Sequence, residues 1–325
     1  MLIHVLLFIV GLILLIKGGD IFVDSSVGIA RRFGLSELII GATVVSLGTT
    51  LPEAFVSVGS ALRGYGEISY GNAVGSIICN TALIEALSIF IRPSEIDRKL
   101  FKIPAIFFFI SSAFYVISAY CFGTFSRFTG FILLLLFLIY MFFTVFKSKD
   151  SISSDLVLKK DSVTGSENIL LFKNILILVI GAVLISLGAN LLIDNGIKLS
   201  YALGIPETVI ALTFIALGTS LPELTTAVTS LIKGHGSLSL GNIIGANLLN
   251  IVFVSGLSVS LSPFNLPSDK LFLGMNSSLI LDIPVMMISM LLLCIPALLK
   301  GKVYRIQGAF LLMIYTVFCF IQFFI

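Results

Sequence analysis

Tryptophan is absent from this 325-residue chain, and histidine occurs only twice, as His4 and His235. Charge is scarce too. Charged residues make up 11% of the chain, where soluble domains carry about 25%. That deficit excludes a water-soluble core of any shape. The four cysteines (Cys79, Cys121, Cys294, Cys319) sit in or beside apolar runs without CxxC spacing. They form neither a disulfide framework nor a metal knuckle. Without Trp, any belt at a membrane interface must be Tyr and Phe. There is no HExxH, no nucleophile–base pair and no cofactor motif, so nothing points to an enzyme and no cofactor is expected. Neither a nucleic acid nor an obligatory protein partner is expected.

What the chain has instead is apolar length. Hydrophobic residues reach 58% and the mean hydropathy is +1.13. Runs of the roughly 20 residues that a bilayer needs recur throughout. The expected class is an all-α integral membrane protein with ten spans, near 2–30, 36–63, 70–91, 101–121, 128–147, 169–198, 206–233, 240–262, 274–299 and 303–325. The first run lacks a basic n-region and a small-residue cleavage site, so it is expected to be a retained helix rather than a signal peptide. The polar segment 148–168 is the expected cytoplasmic linker between halves 1–147 and 169–325. It is too short for a folded regulatory domain.

Lys and Arg test the span count. With the N-terminus outside, fifteen fall on the cytoplasmic side: Arg31, Arg32, Arg92, Arg98, Lys99, Lys102, Lys147, Lys149, Lys159, Lys160, Lys173, Lys233, Lys300, Lys302 and Arg305. Four fall opposite: Arg63, Arg127, Lys198 and Lys270. A missed span would scramble this bias, so ten spans and both termini outside support each other. A multi-pass protein of a cell's cytoplasmic membrane is expected.

Shifted by 170 residues, the chain overlays itself without a gap. Between 41–80 and 211–250, 16 of 40 positions are identical. The matches include Pro, Glu, Asn and Gly, which apolar composition does not explain. Leu47-Gly48-Thr49-Thr50-Leu51-Pro52-Glu53 meets Leu217-Gly218-Thr219-Ser220-Leu221-Pro222-Glu223. Gly71-Asn72, Gly75 and Asn80 meet Gly241-Asn242, Gly245 and Asn250. The repeat blocks run over about 36–91 and 206–262. With five spans per half, an odd number, the second copy must enter the membrane inverted. That is a transporter plan whose binding sites lie near the midplane.

Each copy places a proline and a glutamate midway along a span. Proline lacks an N–H and clashes with the carbonyl four residues back, so the helix is expected to kink or unwind there, with freed carbonyls near Ser46–Gly48 and Ala216–Gly218 as ligands. A carboxylate at mid-bilayer costs at least about 2.5–3.5 kcal/mol. Two of them, Glu53 and Glu223, balance one divalent cation. Thr49, Thr50, Thr219 and Ser220 add hydroxyls. Asn72, Ser76 and Asn80 form an i, i+4, i+8 row whose counterpart is Asn242, Ala246 and Asn250. Asn72 and Asn242 also suit a role as packing glue, whereas Asn80 and Asn250 suit the cation site better. Gly71/Gly75 and Gly241/Gly245 are expected to mark close helix approaches.

All these ligands are oxygens. Transition metals would favour His or Cys, and Mg2+ demands strict octahedral geometry. The chemistry leaves calcium, sodium and protons. Glu85, just over one turn beyond Asn80, is a further buried-carboxylate candidate, whether for a proton, for the cytoplasmic vestibule or for a structural pair. Asp20 is expected to pair with Lys17.

The paired G-[TS]-[TS]-L-P-E and G-N-x-x-G-[SA]-x-x-x-N blocks resemble the two alpha-repeats of the sodium/calcium exchanger branch of the calcium/cation antiporters. The resemblance covers nearly the whole chain. It implies an antiporter that exchanges Na+ for Ca2+ by alternating access, with Glu53, Glu223, Thr49 and Thr219 as Ca2+ ligands. It also implies Na+ sites using the carbonyls of Ser46 and Ala216 and the hydroxyls of Thr50, Ser76 and Ser220, with Asn80 and Asn250 beside the acidic pair. Ala246 replaces the family's usual Ser and removes one hydroxyl. Asn250, where potassium-dependent relatives often have Asp, argues against potassium co-transport. The nearest rival is a Ca2+/H+ exchanger, followed by a passive cation channel or a magnesium-handling protein. The expected movers are the first and sixth spans, whose Gly18, Gly19 and Gly188 would allow bending or sliding.

Overall fold

In the computed structural model, residues 2–33, 35–152, 165–202, 218, 220–268 and 271–324 are described. They form ten helical segments. These are α1 (Leu2–Arg32), α2 (Glu37–Leu62), α3 (Gly66–Ile91), α4 (Arg98–Phe122), α5 (Arg127–Ile152), α6 (Gly165–Ala202), α7 (Leu221–Ile232), α8 (Gly236–Leu261), α9 (Ser278–Lys300) and α10 (Arg305–Phe324). Eight of them are long and apolar enough to cross a bilayer. In α6 the apolar stretch is Phe172–Gly188. The described α7 is the second half of the expected seventh span; 203–217 and 219 lie outside the described residues. Around the expected linker, α5 extends to Ile152 and α6 starts at Gly165, while 153–164 lie outside the described residues.

The repeat is visible residue by residue. In α3 an α-helical part, Gly66–Cys79, passes into a wide π turn over Asn80–Glu85 and back to α over Ala86–Ile91. In α8 the same three parts occur as Gly236–Leu249, Asn250–Ser255 and Gly256–Leu261, each displaced by 170. The turns that lead into these helices contain Gly64 and Gly234, with φ of 87° and 82°. Only glycine takes that left-handed conformation readily, which explains why both copies keep it.

The chain divides into two compact units. The first is Met1–Thr49 with Tyr140–Asn242. Its core is Leu15, Phe22, Val23 and Val27 of α1, Ile40 and Val45 of α2, Leu178 and Ile185 of α6, and Leu238 of α8. Here α1 and α6 meet backbone to backbone. A Cβ on Gly18 would lie 3.1 Å from the Gly181 carbonyl, and one on Gly188 would lie 2.8 Å from that of Gly11. Gly11 and Gly181 are repeat partners, as are Gly18 and Gly188, so the two contacts are images of each other. These glycines are therefore packing surfaces rather than hinges. Gly19 faces α7 instead, against Thr225 and Thr229.

The second unit is Thr50–Ile139 with Ile243–Ile325. Ala54, Ala73 and Val254 form one of its buried clusters. Phe125 stacks on Tyr115 with ring centroids 4.5 Å apart. On its part of α5, Phe128, Phe131, Leu135 and Leu138 are exposed at helical spacing, an apolar stripe suited to lipid.

Two loop pairings within the second unit join loops expected on the same side. Strand β1 (Thr124–Phe125) pairs with β2 (Phe264–Asn265), and both loops are expected on the outer side. Ile96 donates to the Gly301 carbonyl at 2.8 Å, and Lys302 meets Glu95 at 2.6 Å; these loops are both expected inside. The bridge holds the Glu95 carboxyl below its usual range, through the hydrogen bond from Lys302 and then its charge. It raises the Lys302 amine for the same reasons. A lowered carboxylate contributes stability at neutral pH that is lost as pH falls through its folded pKa. A raised amine loses its contribution as pH rises through its own. Glu95→Gln is therefore expected to leave the neutral-pH melting temperature within a degree or so, since exposed pairs are worth little. It should also remove the Lys302 alkaline shift in an NMR titration.

Candidate functional site

Both motif carboxylates are fully buried: Glu53 and Glu223 each show 0% exposure. Glu53 belongs to the second unit and Glu223 to the first, so each half-site is described by itself.

In the first unit, α2 contributes Ser46 and Thr49, α7 contributes Glu223 with Ser220 just before it, and α8 contributes Asn242. All five are buried. Thr49 Oγ1 lies 3.2 Å from Asn242 Oδ1 and 3.3 Å from the Ser46 carbonyl. The Ser220 hydroxyl has no hydrogen-bond partner. Thr219 and Ala216, expected to supply a hydroxyl and a carbonyl, lie outside the described residues. The approach of α2 to α8 is made possible by two glycines. A Cβ on Gly41 would meet the Leu238 carbonyl at 2.5 Å, and one on Gly241 would overlap the Leu38 carbonyl.

In the second unit, Thr50, Glu53, Ser76, Asn80, Asn250 and Ala246 are all buried. Asn72 donates to the Glu53 carbonyl at 3.2 Å and to Ser57 Oγ at 2.8 Å. It thereby fixes the turn of α2 that holds the glutamate, and the packing role foreseen for Asn72 and Asn242 is realised in both. The Thr50 hydroxyl and both amide atoms of Asn80 and of Asn250 have no hydrogen-bond partner. Those two asparagines each open a π turn. A π turn is a local widening often found at functional sites. Glu85 is 2% exposed. It closes the α3 π turn at the position where α8 has Ser255, whose hydroxyl donates to the Asn250 carbonyl at 2.9 Å.

Three expectations are corrected. The helix does not unwind at Ser46–Gly48: Ser46–Leu62 is one α-helix that includes Pro52, and the irregularity is a π turn upstream, over Gly41–Val45. Proline removes a single bond, to Gly48, and the buried surroundings keep the remaining ladder. In α7, Pro222 lies in the first turn, where its missing N–H is tolerated. Second, among the described residues nothing lies within 4 Å of a Cβ built on Gly71 or Gly75. In the second copy Gly241 does make the expected close approach, against Leu38, and Gly41 meets α8 from the other side. Third, Asp20 pairs with Lys233 at 3.4 Å rather than with Lys17, and the same amine binds Asp24 at 2.7 Å. Gly19 brings α7 close enough for that pairing.

One polar network escaped sequence reading. Asn247 Nδ2 donates to Thr81 Oγ1 at 2.7 Å, and both groups lie 3.2 Å from Met290 Sδ. It ties α3, α8 and α9 together beside Asn80 and Asn250. The repeat partners of Asn247 and Thr81 are Ile77 and Ile251, so a search for matched polar positions passes over them.

Chemically, the two half-sites offer carboxylates, hydroxyls and amide oxygens, a donor set for hard cations. Among the described residues no group of three or more His, Cys, Asp and Glu gathers to hold a metal ion. The model of the family described as sodium/calcium exchanger protein matches residues 3–146 and 173–324. The sodium/calcium exchanger MaX1 of Methanosarcina acetivorans is 30% identical over 99% of both chains, and the inner membrane protein YrbG of Escherichia coli is 34% identical over 81% of each. Among solved structures, the sodium-calcium exchanger NCX_Mj soaked with Na+ and without Ca2+ superposes with a TM-score of 0.80 over 97% of both chains, at 31% identity. The fold is ten transmembrane helices in two inverted five-helix repeats, and the chain belongs to the sodium/calcium exchanger protein family.

Proposed function

We propose that this chain is a secondary active antiporter that exchanges Na+ for Ca2+ by alternating access. The observation that carries the reading is the duplicated, fully buried glutamate, Glu53 and Glu223, each following a proline in a spanning helix. Buried carboxylates in a spanning segment are costly and mark ion or proton pathways. Glu53, Glu223, Thr49 and Thr219 take Ca2+. Thr50, Ser76, Ser220 and the carbonyls of Ser46 and Ala216 take Na+, with Asn80 and Asn250 beside them. The same carboxylates serve both ions, so the ions compete. A carrier without either ion crosses poorly, because buried carboxylates in low dielectric favour a bound counter-charge. That penalty couples the two fluxes. The movers are α1 and α6, whose paired glycines hold the two helices backbone to backbone. The membrane is the cytoplasmic membrane, with both termini outside and the basic loops inside.

The test is Ca2+ uptake into proteoliposomes loaded with Na+, against vesicles carrying only a proton gradient. Uptake driven by the Na+ gradient alone is the expected result. Uptake driven only by protons would replace this reading with Ca2+/H+ exchange, and the buried Glu85 would be the first residue to examine.

A further inference from the structure

A helical hydroxyl can satisfy itself by donating to its own backbone. Ser25, Ser26, Thr43 and Ser186 each donate to the carbonyl four residues back. Two hydroxyls on α7 do not. Thr226 and Ser230 are fully buried, and neither has a hydrogen-bond partner. With Glu223 they occupy positions i, i+3 and i+7, an arc of about 60° on one face that climbs about 10 Å along the helix. Thr225 and Thr229 lie on a different face, the one against Gly19 of α1. The oxygen stripe is therefore not part of the α1 packing surface.

The stripe leads to the end of α7 that carries Lys233. There the amine is flanked by Asp24 at 2.7 Å and Asp20 at 3.4 Å. Two carboxylates there face one ammonium. Asp24 is largely exposed, so its negative charge faces solvent.

We infer that Glu223, Thr226 and Ser230 form a one-sided transit track. Partly dehydrated Na+ and Ca2+ pass along it between the Glu223 carboxylate and the α7 end bearing Lys233. The inference rests on the exchanger reading and deepens it. Hydroxyl oxygens replace water ligands of a hard cation, and hydroxyls not bonded to their own helix can turn to meet it. The repeat makes the track asymmetric. Val56 stands where Thr226 does, and Ser60 where Ser230 does, so the first copy has only half of the stripe. Entry and release on the two membrane sides therefore run over different chemistry.

The experiment compares wild type with Thr226→Val, Ser230→Ala and the double variant in Na+-loaded proteoliposomes. Equilibrium binding of radioactive Ca2+ is measured on the same proteins in detergent. The double variant is expected to exchange about tenfold more slowly, the scale of a lost hydrogen bond or two, with Ca2+ binding within about twofold of wild type. Ser230→Thr, which keeps the hydroxyl, is expected to retain the rate. A wild-type rate in the double variant overturns the track. So does a rate loss in Ser230→Thr equal to that in Ser230→Ala, because packing would then be the cause. Glu223→Gln is run alongside. If it exchanges normally, the exchanger site itself is misassigned. If it fails while the double variant works, only the track falls.

Discussion

Replacing either motif glutamate by glutamine is expected to abolish Na+-dependent Ca2+ uptake, by roughly 100-fold or more, about 2.7 kcal/mol in transition-state terms, while the protein remains folded. Both carboxylates are fully buried, and glutamine keeps the size and one carbonyl oxygen but not the charge. The stability outcome separates this from general damage. A buried carboxylate at mid-bilayer costs about 2.5–3.5 kcal/mol, so Glu53→Gln and Glu223→Gln should melt at or above the wild-type temperature in ion-free buffer. Ca2+ should then raise the melting temperature of wild type only, because a ligand stabilises the state it binds. Uptake at the wild-type rate in either variant, or a Ca2+-dependent melting shift retained in both, would reject the assignment.

The second large effect concerns the crossing of α2 over α8. Gly41→Ala and Gly241→Ala each place one methyl group against backbone: the Leu238 carbonyl and Asn242 nitrogen in one case, the Leu38 carbonyl in the other. Backbone on both sides cannot rotate away as a side chain would, so the helices must separate. Overpacking of this kind costs about 1–3 kcal/mol. Separation also lengthens the 3.2 Å contact between Thr49 and Asn242. Each variant should therefore lose several degrees of thermal stability, and its Ca2+ affinity should fall with it. Gly59→Ala is the control, because nothing lies within 4 Å of its Cβ position among the described residues. It should melt at or slightly above wild type, since helical glycine is about 0.5–1 kcal/mol worse than alanine. Equal losses at Gly41 and Gly59 would show that the crossing is not responsible.

Much of this protein was legible without coordinates because a bilayer imposes so few choices. Length and apolarity select spanning helices. Lys and Arg then order the loops, and the fixed offset of 170 residues repeats the whole pattern. Glu53 and Glu223 stood out for the same reason: a carboxylate inside an apolar run is expensive, and two of them stand at matched positions beside prolines. The repeat also carried Asn72, Asn80, Asn242 and Asn250, which the structure places in helix-bonding or buried positions.

What one-dimensional pattern could not decide was direction and partner. Gly71 and Gly75 look like a contact stripe as much as Gly241 and Gly245 do; only the packing shows that Gly241 meets another backbone and that Gly71 and Gly75 do not. Asp20 has Lys17 three residues away, yet its amine comes from Lys233, 213 positions along the chain, because Gly19 lets α7 come close. Proline at 52 announces a broken helix, but a single missing bond is absorbed in a buried, well-packed span, and the irregularity appears one turn earlier as a π turn. The Asn247–Thr81–Met290 network and the Thr226–Ser230 stripe have no full image in the other copy, so the repeat concealed them. Composition and periodicity determined the class, the span order and the acidic pair, because these depend on what each segment must exclude from lipid. Close approaches, ion-pair partners and unbonded hydroxyls were decided by the tertiary structure alone, because they depend on which helix faces lie against each other.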